Sequence, residues 1–273
     1  MREIIINNWD ELSKTIFSGV WDSKILRYRD NVVYRGVSDK SWDLIPSLNR
    51  CCPNHLDLER HILRSFRKYG YADLKDSTGF WQTLAMGQQF GLPTRLLDWT
   101  YSPFVAAHFA TADIEQFSID GSIICCDMAK TNRHLPEIFS RYLLREKCNV
   151  FSMDMLDHIA DSLDKLQEIS TNPFAFFFEP ASTVNRIANQ YALFSIVSDP
   201  NYIIDELPQL KDAFFKIIIP SRVKLEIRDK LDYINISERM IYPGLEGVCK
   251  WIARRYSPLG PNFYNKSKYI NVK

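Results

Sequence analysis

Apolar side chains recur every three or four residues in several stretches of the chain, and this period predicts amphipathic helices. In residues 9–18, for example, Leu12 and Ile16 lie one helical turn apart among polar positions. Ser102 followed by Pro103 marks a helix start, because a capping hydroxyl precedes a proline at the first helical position. The predicted helices cover 9–18, 56–70, 79–89, 103–113, most of 130–170 and two segments between 221 and 256.

Shorter apolar runs, rich in β-branched and aromatic residues, predict strands between these helices. The predicted strands are NVVYRGVSD (31–39), TRLLDWT (94–100), GSIICCD (121–127), NPFAFFFEP (172–180), YALFSIV (191–197) and FKIIIP (215–220). Because they are short and separated by helical pieces of unequal length, the pattern favours an α+β fold over a doubly wound α/β sheet. We expect one domain over residues 1–273, with a core at about 30–250, a helical insertion at 130–170 and C-terminal helices at 221–256.

Composition narrows the classes of partner. The chain has 273 residues, 46% of them hydrophobic, which is enough for a large core. Its 34 basic and 33 acidic residues lack the basic excess of a nucleic-acid-binding surface, so we expect no nucleic-acid partner. The N-terminal apolar run is too short for a signal peptide, and no stretch approaches the ~20 apolar residues of a membrane span. We therefore expect a cytoplasmic protein without membrane contact.

Cysteine usage agrees with that compartment. Six cysteines are present, four of them as the adjacent pairs Cys51–Cys52 and Cys125–Cys126, so we expect reduced thiols rather than disulfides. No C-x-x-C or H-E-x-x-H motif occurs, so we expect no metal.

The segment VVYRG places a charged side chain, Arg35, at the end of an apolar strand. A buried guanidinium is costly, so Arg35 needs either a structural acid such as Asp98 or an anionic ligand such as phosphate or carboxylate. Gly36 would let a ligand or another backbone approach closely. Tyr34 is a candidate for stacking on a ligand ring, although tyrosines are common in strands.

The segment GLPTRLLDWT interrupts a predicted buried strand with three polar side chains. On a regular strand Thr94 and Asp98 point to one face, and Arg95 and Trp99 to the other. Thr94 and Asp98 then line a cleft, or, alternatively, Arg95 and Asp98 form a structural ion pair across a bend. Trp99 is a core aromatic residue or a stacking platform. Spacing alone favours the structural ion pair over the cleft, and a core position is favoured for Trp99.

Two further polar residues, Arg186 and Gln190, are four positions apart and share a side in either a helix or a strand. Without a ligand, they would form hydrogen bonds within the sheet region. His108 follows the polar segment on a predicted helix and is expected to be a partly buried histidine with satisfied hydrogen bonds.

Four blocks of the sequence resemble the FRG domain family over about residues 30–250. The blocks are VVYRGVSD (32–39), GLPTRLLDWTYSPFVAAHFA (91–110), NRIANQYALFSI (185–196) and IYPGLEGV (241–248). The second block is the most specific. The chain departs from the family at Gln89, where histidine is usual, and at Ala192, where glycine is usual. Glutamine does not titrate, so an acid–base role at position 89 is in doubt.

The order of elements also resembles, more distantly, ADP-ribosyltransferases of the Arg-Ser-Glu type. This resemblance implies a mixed or antiparallel sheet flanked by helices, with NAD as the substrate. It implies that Arg35 holds the NAD phosphates and that Thr94 supports the nicotinamide pocket.

At Gln190 the chain departs from these ADP-ribosyltransferases, which carry a glutamate there. A carboxylate stabilises an oxocarbenium-like transition state, and a neutral amide does so weakly. Asp98, Glu179 and Glu246 are the acids that would substitute, and Asp98 is favoured because it shares a predicted strand face with Thr94. The candidate catalytic residues are thus Arg35, Thr94, Asp98 and Gln190. The candidate ligand contacts are Tyr34, Gly36, Gln89, Arg95, Trp99 and Arg186.

Three functional hypotheses follow. The first is an NAD-using enzyme, either an ADP-ribosyltransferase with a macromolecular acceptor or an NAD hydrolase, serving as a bacterial or phage conflict effector. The alternative is a non-catalytic FRG module that binds a nucleotide or a protein. A third hypothesis, a nucleic-acid-directed protein, rests only on the basic helix 60–68 and on ARRY at 253–256.

Overall fold

The computed structural model describes residues 1–29, 31–52, 56–72, 74, 79–181 and 185–256. The strands are β1 (Arg2–Ile5), β2 (Trp21–Asp22), β3 (Arg27–Tyr28), β4 (Val32–Val37), β5 (Leu97–Thr100), β6 (Gly121–Asp127), β7 (Phe151–Ser152), β8 (Ala175–Glu179), β9 (Ala192–Val197) and β10 (Phe214–Ile219). The helices are α1 (Trp9–Phe17), α2 (Ser47–Cys51), α3 (Glu59–Tyr69), α4 (Phe80–Gln89), α5 (Pro103–Ala110), α6 (Met128–Asn132), α7 (Glu137–Glu146), α8 (Met153–Ile159), α9 (Leu163–Glu168), α10 (Asn185–Gln190), α11 (Ser221–Tyr233), α12 (Glu238–Ile241) and α13 (Leu245–Tyr256).

An eight-stranded sheet organises the molecule, in the order β1-β10-β6-β4-β5-β9-β8-β7. The central pairs are antiparallel, and the two edge pairs, β1 with β10 and β7 with β8, are parallel. β2 and β3 form a separate two-stranded hairpin. The expectation of a mixed sheet flanked by helices is confirmed.

Alternating side chains send each strand's apolar residues to both faces of this sheet. On one face, α1, α5 and α11 pack over β4, β6 and β10, and α4, α7, α8 and α9 pack over β8 and β9. The opposite face carries a third cluster that includes Trp99 and Phe177. The first face therefore carries two separate helical groups, one on each side of the junction of β4 and β5.

The insertion at 130–170 consists of short helices and the two-residue strand β7. Its buried residues, among them Phe139, Phe151 and Leu156, pack on Phe176 and Phe178 of β8. The phenylalanine run of β8 thus belongs to the core. None of the helices in the described ranges is long and apolar enough to cross a membrane.

Several predicted boundaries need correction. The strand predicted at 94–100 begins only at Leu97, because residues 94–96 leave the sheet to bond with α2 through Thr94. The helix predicted at 103–113 ends at Ala110, where the hydroxyl of Thr111 bonds back to the carbonyl of Ala107. The C-terminal part contains α11, α12 and α13 rather than two helices. The strands β1, β2, β3 and β7 were not predicted, and β7 lies in the segment that was expected to be helical.

Candidate functional site

A cleft opens where the sheet splits between β4 and β5. These strands pair only at Tyr34 and Thr100, whereas β4 pairs with β6, and β5 with β9, along their whole lengths. Continued antiparallel pairing would place Arg35 opposite Trp99, but that pair does not form. The divergence leaves a cavity of about 630 Å³, a size typical of small-molecule sites. The residues that line it are Tyr34, Arg35, Gly36, Gln88, Gln89, Phe90, Gly91, Asp98, Trp99, Thr100, Phe109, Arg186, Gln190, Ala192 and Phe194.

Arg35 spans the split. Its Nη1 donates a hydrogen bond of 2.5 Å to the backbone carbonyl of Asp98, which has no strand partner on this side, and lies 3.8 Å from the Asp98 carboxylate. Burial lowers the pKa of Arg35, the Asp98 charge opposes this shift, and Arg50 adds to it. Asp98 therefore offsets only in part the cost of desolvating this guanidinium, whose side chain is 23% exposed. A bound anion would stabilise it further.

Asp98 is held from its other side by Gln88. The buried hydroxyl of Thr94 donates to Gln88 Oε1 at 2.6 Å, and this contact fixes the orientation of the amide. Gln88 Nε2 then donates to Asp98 Oδ2 at 2.9 Å. Thr94 and Asp98 are thus linked through Gln88. Thr94, which was expected to face the cleft, is fully buried behind Gln88 and does not line it.

The helix α10 brings Arg186 and Gln190 to the same cleft. Gln190 is anchored at two points. Its backbone carbonyl accepts a hydrogen bond from Thr100 Oγ1 at 2.7 Å, and its side-chain Nε2 donates to the backbone carbonyl of Ile241 at 3.2 Å. A carboxylate at this position would face the carbonyl oxygen of Ile241, which cannot donate a hydrogen bond, so the surroundings suit an amide. The guanidinium of Arg186 lies over the ring of Tyr242, 4.9 Å from its centroid.

Arg95 lies outside the cleft, and the ion pair considered between Arg95 and Asp98 does not form. The Arg95 side chain is 6% exposed and its Nε donates to Glu59 Oε2 at 2.5 Å, while its Nη1 donates to Ser198 O at 2.9 Å. Glu59 is fully buried and also accepts from the backbone nitrogen of Arg95. Arg95 therefore ties α3 to the segments flanking β5 and β9, and the structure gives it no contact to a cleft ligand.

Gly36 and Trp99 border the cleft but serve the packing. A Cβ on Gly36 would lie 1.8 Å from Ala106 O, so the absent side chain lets the backbone of α5 approach β4. Trp99 is 2% exposed and donates from Nε1 to Ser195 Oγ at 2.8 Å, as expected of a core aromatic. Tyr34 is 5% exposed and also packs in the core.

Sequence reasoning did not name seven of the cleft residues as site residues: Gln88, Phe90, Gly91, Thr100, Phe109, Ala192 and Phe194. Thr100, Ala192 and Phe194 lie in β5 and β9, and the other four lie at or near the ends of α4 and α5. Phe90 is 72% exposed at this rim. Gln89, which stands where FRG domains usually have histidine, lines the cleft beside it.

Asp98 is the one carboxylate among the described lining residues. Glu179 instead accepts a hydrogen bond from Tyr101 Oη at 2.8 Å, and Glu246 pairs with Lys250 at 2.6 Å. No lining residue in the described part of the chain comes from the insertion at 130–170, so the insertion does not cover the cleft. No group of His, Cys, Asp and Glu suited to a metal ion occurs within the described residues.

Comparison with known proteins gives one match. Residues 30–118 match the model of the FRG domain, which supports the FRG family for the part of the chain from the start of β4 past the end of α5. This range contains Arg35, Gln88 and Asp98, and it ends before α10 and α12. Among curated proteins and among solved structures no match was found.

Proposed function

We propose that the cleft binds NAD or a related nucleotide, and that the chain uses NAD in an ADP-ribosyltransferase-like or NAD-hydrolysing reaction. The observation that carries this proposal is the position of Arg35 in the split of the sheet, beside the carboxylate of Asp98. The guanidinium binds phosphate oxygens, and Arg186 supplies a second cation on the same cleft.

Asp98 carries the chemical step in this proposal. The bond between the ribose C1′ and the nicotinamide nitrogen breaks, and its electron pair leaves with nicotinamide. The carboxylate of Asp98 stabilises the positive charge that develops on the ribose. A water oxygen, or a nucleophile of a macromolecular acceptor, then bonds to C1′ and releases a proton. The Asp98 carboxylate is held from one side by the Gln88 amide and from the other side by the Arg35 guanidinium.

A second candidate function is a nucleotide-binding module without turnover. The observation that favours it is Gln190, whose amide is committed to Ile241 O and whose position offers no carboxylate. In that case Arg35 and Arg186 hold the ligand, and Asp98 orders the cleft.

Proton NMR of the protein with NAD separates the two. We expect free nicotinamide to appear with the parent protein and to disappear with Arg35→Gln and with Asp98→Asn. The matched control is Arg141→Gln, which removes an exposed cation from α7, away from the cleft. Broadening of the adenine signals without nicotinamide would support the binding module. The absence of both signals would rule out NAD as the ligand.

A further inference from the structure

A second cavity, of about 580 Å³, lies between α11, α12 and α13 and shares no lining residue with the cleft. Its wall is rich in cations. The charged residues that line it are Arg228, Asp229, Asp232, Arg239, Arg254 and Arg255. Arginines outnumber carboxylates here, which favours an anionic occupant.

The charge of Arg254 is already matched inside the protein. Its Nη2 contacts both carboxylate oxygens of Asp232, at 2.8 and 2.7 Å, and its Nε donates to Glu238 Oε1 at 2.6 Å. Asp232 also accepts from Arg228 Nη2 at 3.3 Å. Asp232 and Glu238 are therefore engaged by Arg228 and Arg254, and Asp229 is the other carboxylate among the described lining residues.

The other two arginines have no such partner. The side chains of Arg239 and Arg255 make no hydrogen bond or ion pair with a residue in the described ranges. Both guanidinium groups lie over Trp251, 4.6 and 5.1 Å from its ring centroid. Stacking restrains a guanidinium and leaves the N–H groups at its edge free to bind a ligand.

Arg228 adds a buried donor to the wall of the cavity. Its side chain is 1% exposed, and its Nε has no hydrogen-bond partner among the described residues. Burial, and then the charge of Arg254, lower the pKa of Arg228 to about 10. The cation is therefore incompletely stabilised by its surroundings, and a nearby anion would stabilise it.

We propose that this cavity is a second ligand site, which binds a phosphate-bearing anion between the stacked guanidinium groups of Arg239 and Arg255 and the buried Arg228. A phosphate presents several oxygens at tetrahedral spacing, so it can accept from more than one guanidinium at once. Asp229 also lines the cavity, where its exposed carboxylate opposes anion binding. The site is independent of the cleft and of its proposed use of NAD.

The test uses inorganic pyrophosphate as the probe, in calorimetric titrations of the full chain. The starting protein carries Arg35→Gln, so that anion binding in the cleft is weakened. We expect this protein to bind pyrophosphate, and the addition of Arg239→Gln and Arg255→Gln to weaken the affinity about tenfold or more. Both arginines are exposed, so circular dichroism is expected to show an unchanged fold.

The matched control adds Arg141→Gln and Arg145→Gln to the Arg35→Gln protein and so removes the same charge from α7. Arg145 also stacks on an aromatic ring, that of Tyr142. Equal weakening by this control would show general charge attraction and overturn the proposal. Absence of binding in the Arg35→Gln protein, or an unchanged affinity after the Arg239 and Arg255 substitutions, would overturn it as well. If Arg35→Gln alone abolishes pyrophosphate binding, the cleft is the phosphate site and the proposal of a second site fails. If binding depends only on Arg239 and Arg255, the second site is supported, and the proposal that Arg35 binds the phosphates of NAD in the cleft loses support.

Discussion

At the scale of single residues, the candidate site depends on one amide that the sequence did not single out. Gln88 accepts a hydrogen bond from the buried hydroxyl of Thr94 and donates one to Asp98, which Arg35 contacts from the other side. The sequence pattern identified Thr94, Asp98 and Arg35 as polar residues in an apolar setting. It did not identify Gln88, because a glutamine at the end of a predicted helix is unremarkable by pattern alone.

Substitution of Gln88 tests whether the amide positions Asp98. We expect Gln88→Leu to reduce nicotinamide release by up to about 100-fold, because an unrestrained carboxylate leaves its productive geometry. Thermal unfolding measures the accompanying loss of a buried hydrogen bond with Thr94, about 1 to 3 kcal/mol.

A second substitution at the same residue separates positioning from stability. Gln88→Glu places a carboxylate within hydrogen-bond distance of Asp98, where like charges repel. We expect its rate of nicotinamide release, relative to that of the parent protein, to recover as the pH is lowered and the two carboxylates take up a shared proton. A rate unaffected by either substitution would show that Gln88 only fills space.

At the scale of elements, the apolar periods placed most helices and strands, and they failed where tertiary contacts override local pattern. The segment at 94–100 alternates as a strand would, yet residues 94–96 leave the sheet, because Thr94 bonds to α2 and Arg95 to Glu59 on α3. The alternation of strand faces expected for residues 94–100 therefore does not extend to Thr94 and Arg95. A partner such as Glu59, far away in the chain, cannot be predicted from spacing.

Gly36 shows a contact between elements that the sequence suggested without specifying. The notion of close approach was right for a backbone, that of α5 at Ala106. We expect Gly36→Ala to destabilise the fold by about 3 kcal/mol, since a Cβ would collide with a helix carbonyl and force α5 away from β4. Urea unfolding measures this loss. NAD affinity should fall with it, because Phe109 of α5 lines the cleft.

Gly19→Ala is the control for that experiment. Gly19 has φ of +77° and no atom within 4 Å of an added Cβ, so its substitution introduces backbone strain alone. We expect a cost of about 1 kcal/mol there. Equal losses at Gly19 and Gly36 would contradict the steric explanation.

At the scale of the whole molecule, the cleft exists because the sheet is continuous on either side of one weak junction. The single pair of Tyr34 with Thr100 joins two halves that are otherwise fully paired. The two strands at the junction, β4 and β5, were each predicted from their own residues. The split was not, because strand register depends on contacts between segments far apart in the chain.

The whole fold also has a buried titratable group, His108, whose protonation opposes folding. His108 is fully buried, and Arg228 Nη1 donates to its Nδ1 at 2.7 Å, so the ring is neutral with its proton on Nε2. Its Nε2 has no hydrogen-bond partner among the described residues, so the expectation of a partly buried histidine with satisfied hydrogen bonds was wrong. Burial, and then the Arg228 charge, lower the pKa of His108 to about 3 from its ordinary value of 6.5. Between these two values the unfolded chain binds a proton that the folded chain does not. The stabilising contribution is therefore complete above pH 6.5 and is lost as the pH falls toward 3.

We expect the free energy of unfolding to fall by about 1.4 kcal/mol per pH unit from this group as the pH drops through that window. Urea unfolding between about pH 7 and pH 4 measures it, and His108→Gln is the reference because its amide oxygen accepts from Arg228 but does not titrate. Carboxylates add to the acid loss in both proteins, so the informative quantity is the difference between the two curves. The parent protein should lose stability more steeply than His108→Gln. Parallel curves would mean that His108 is solvated in the folded state, and that the contact between α5 and α11 is looser than the hydrogen bond to Arg228 implies.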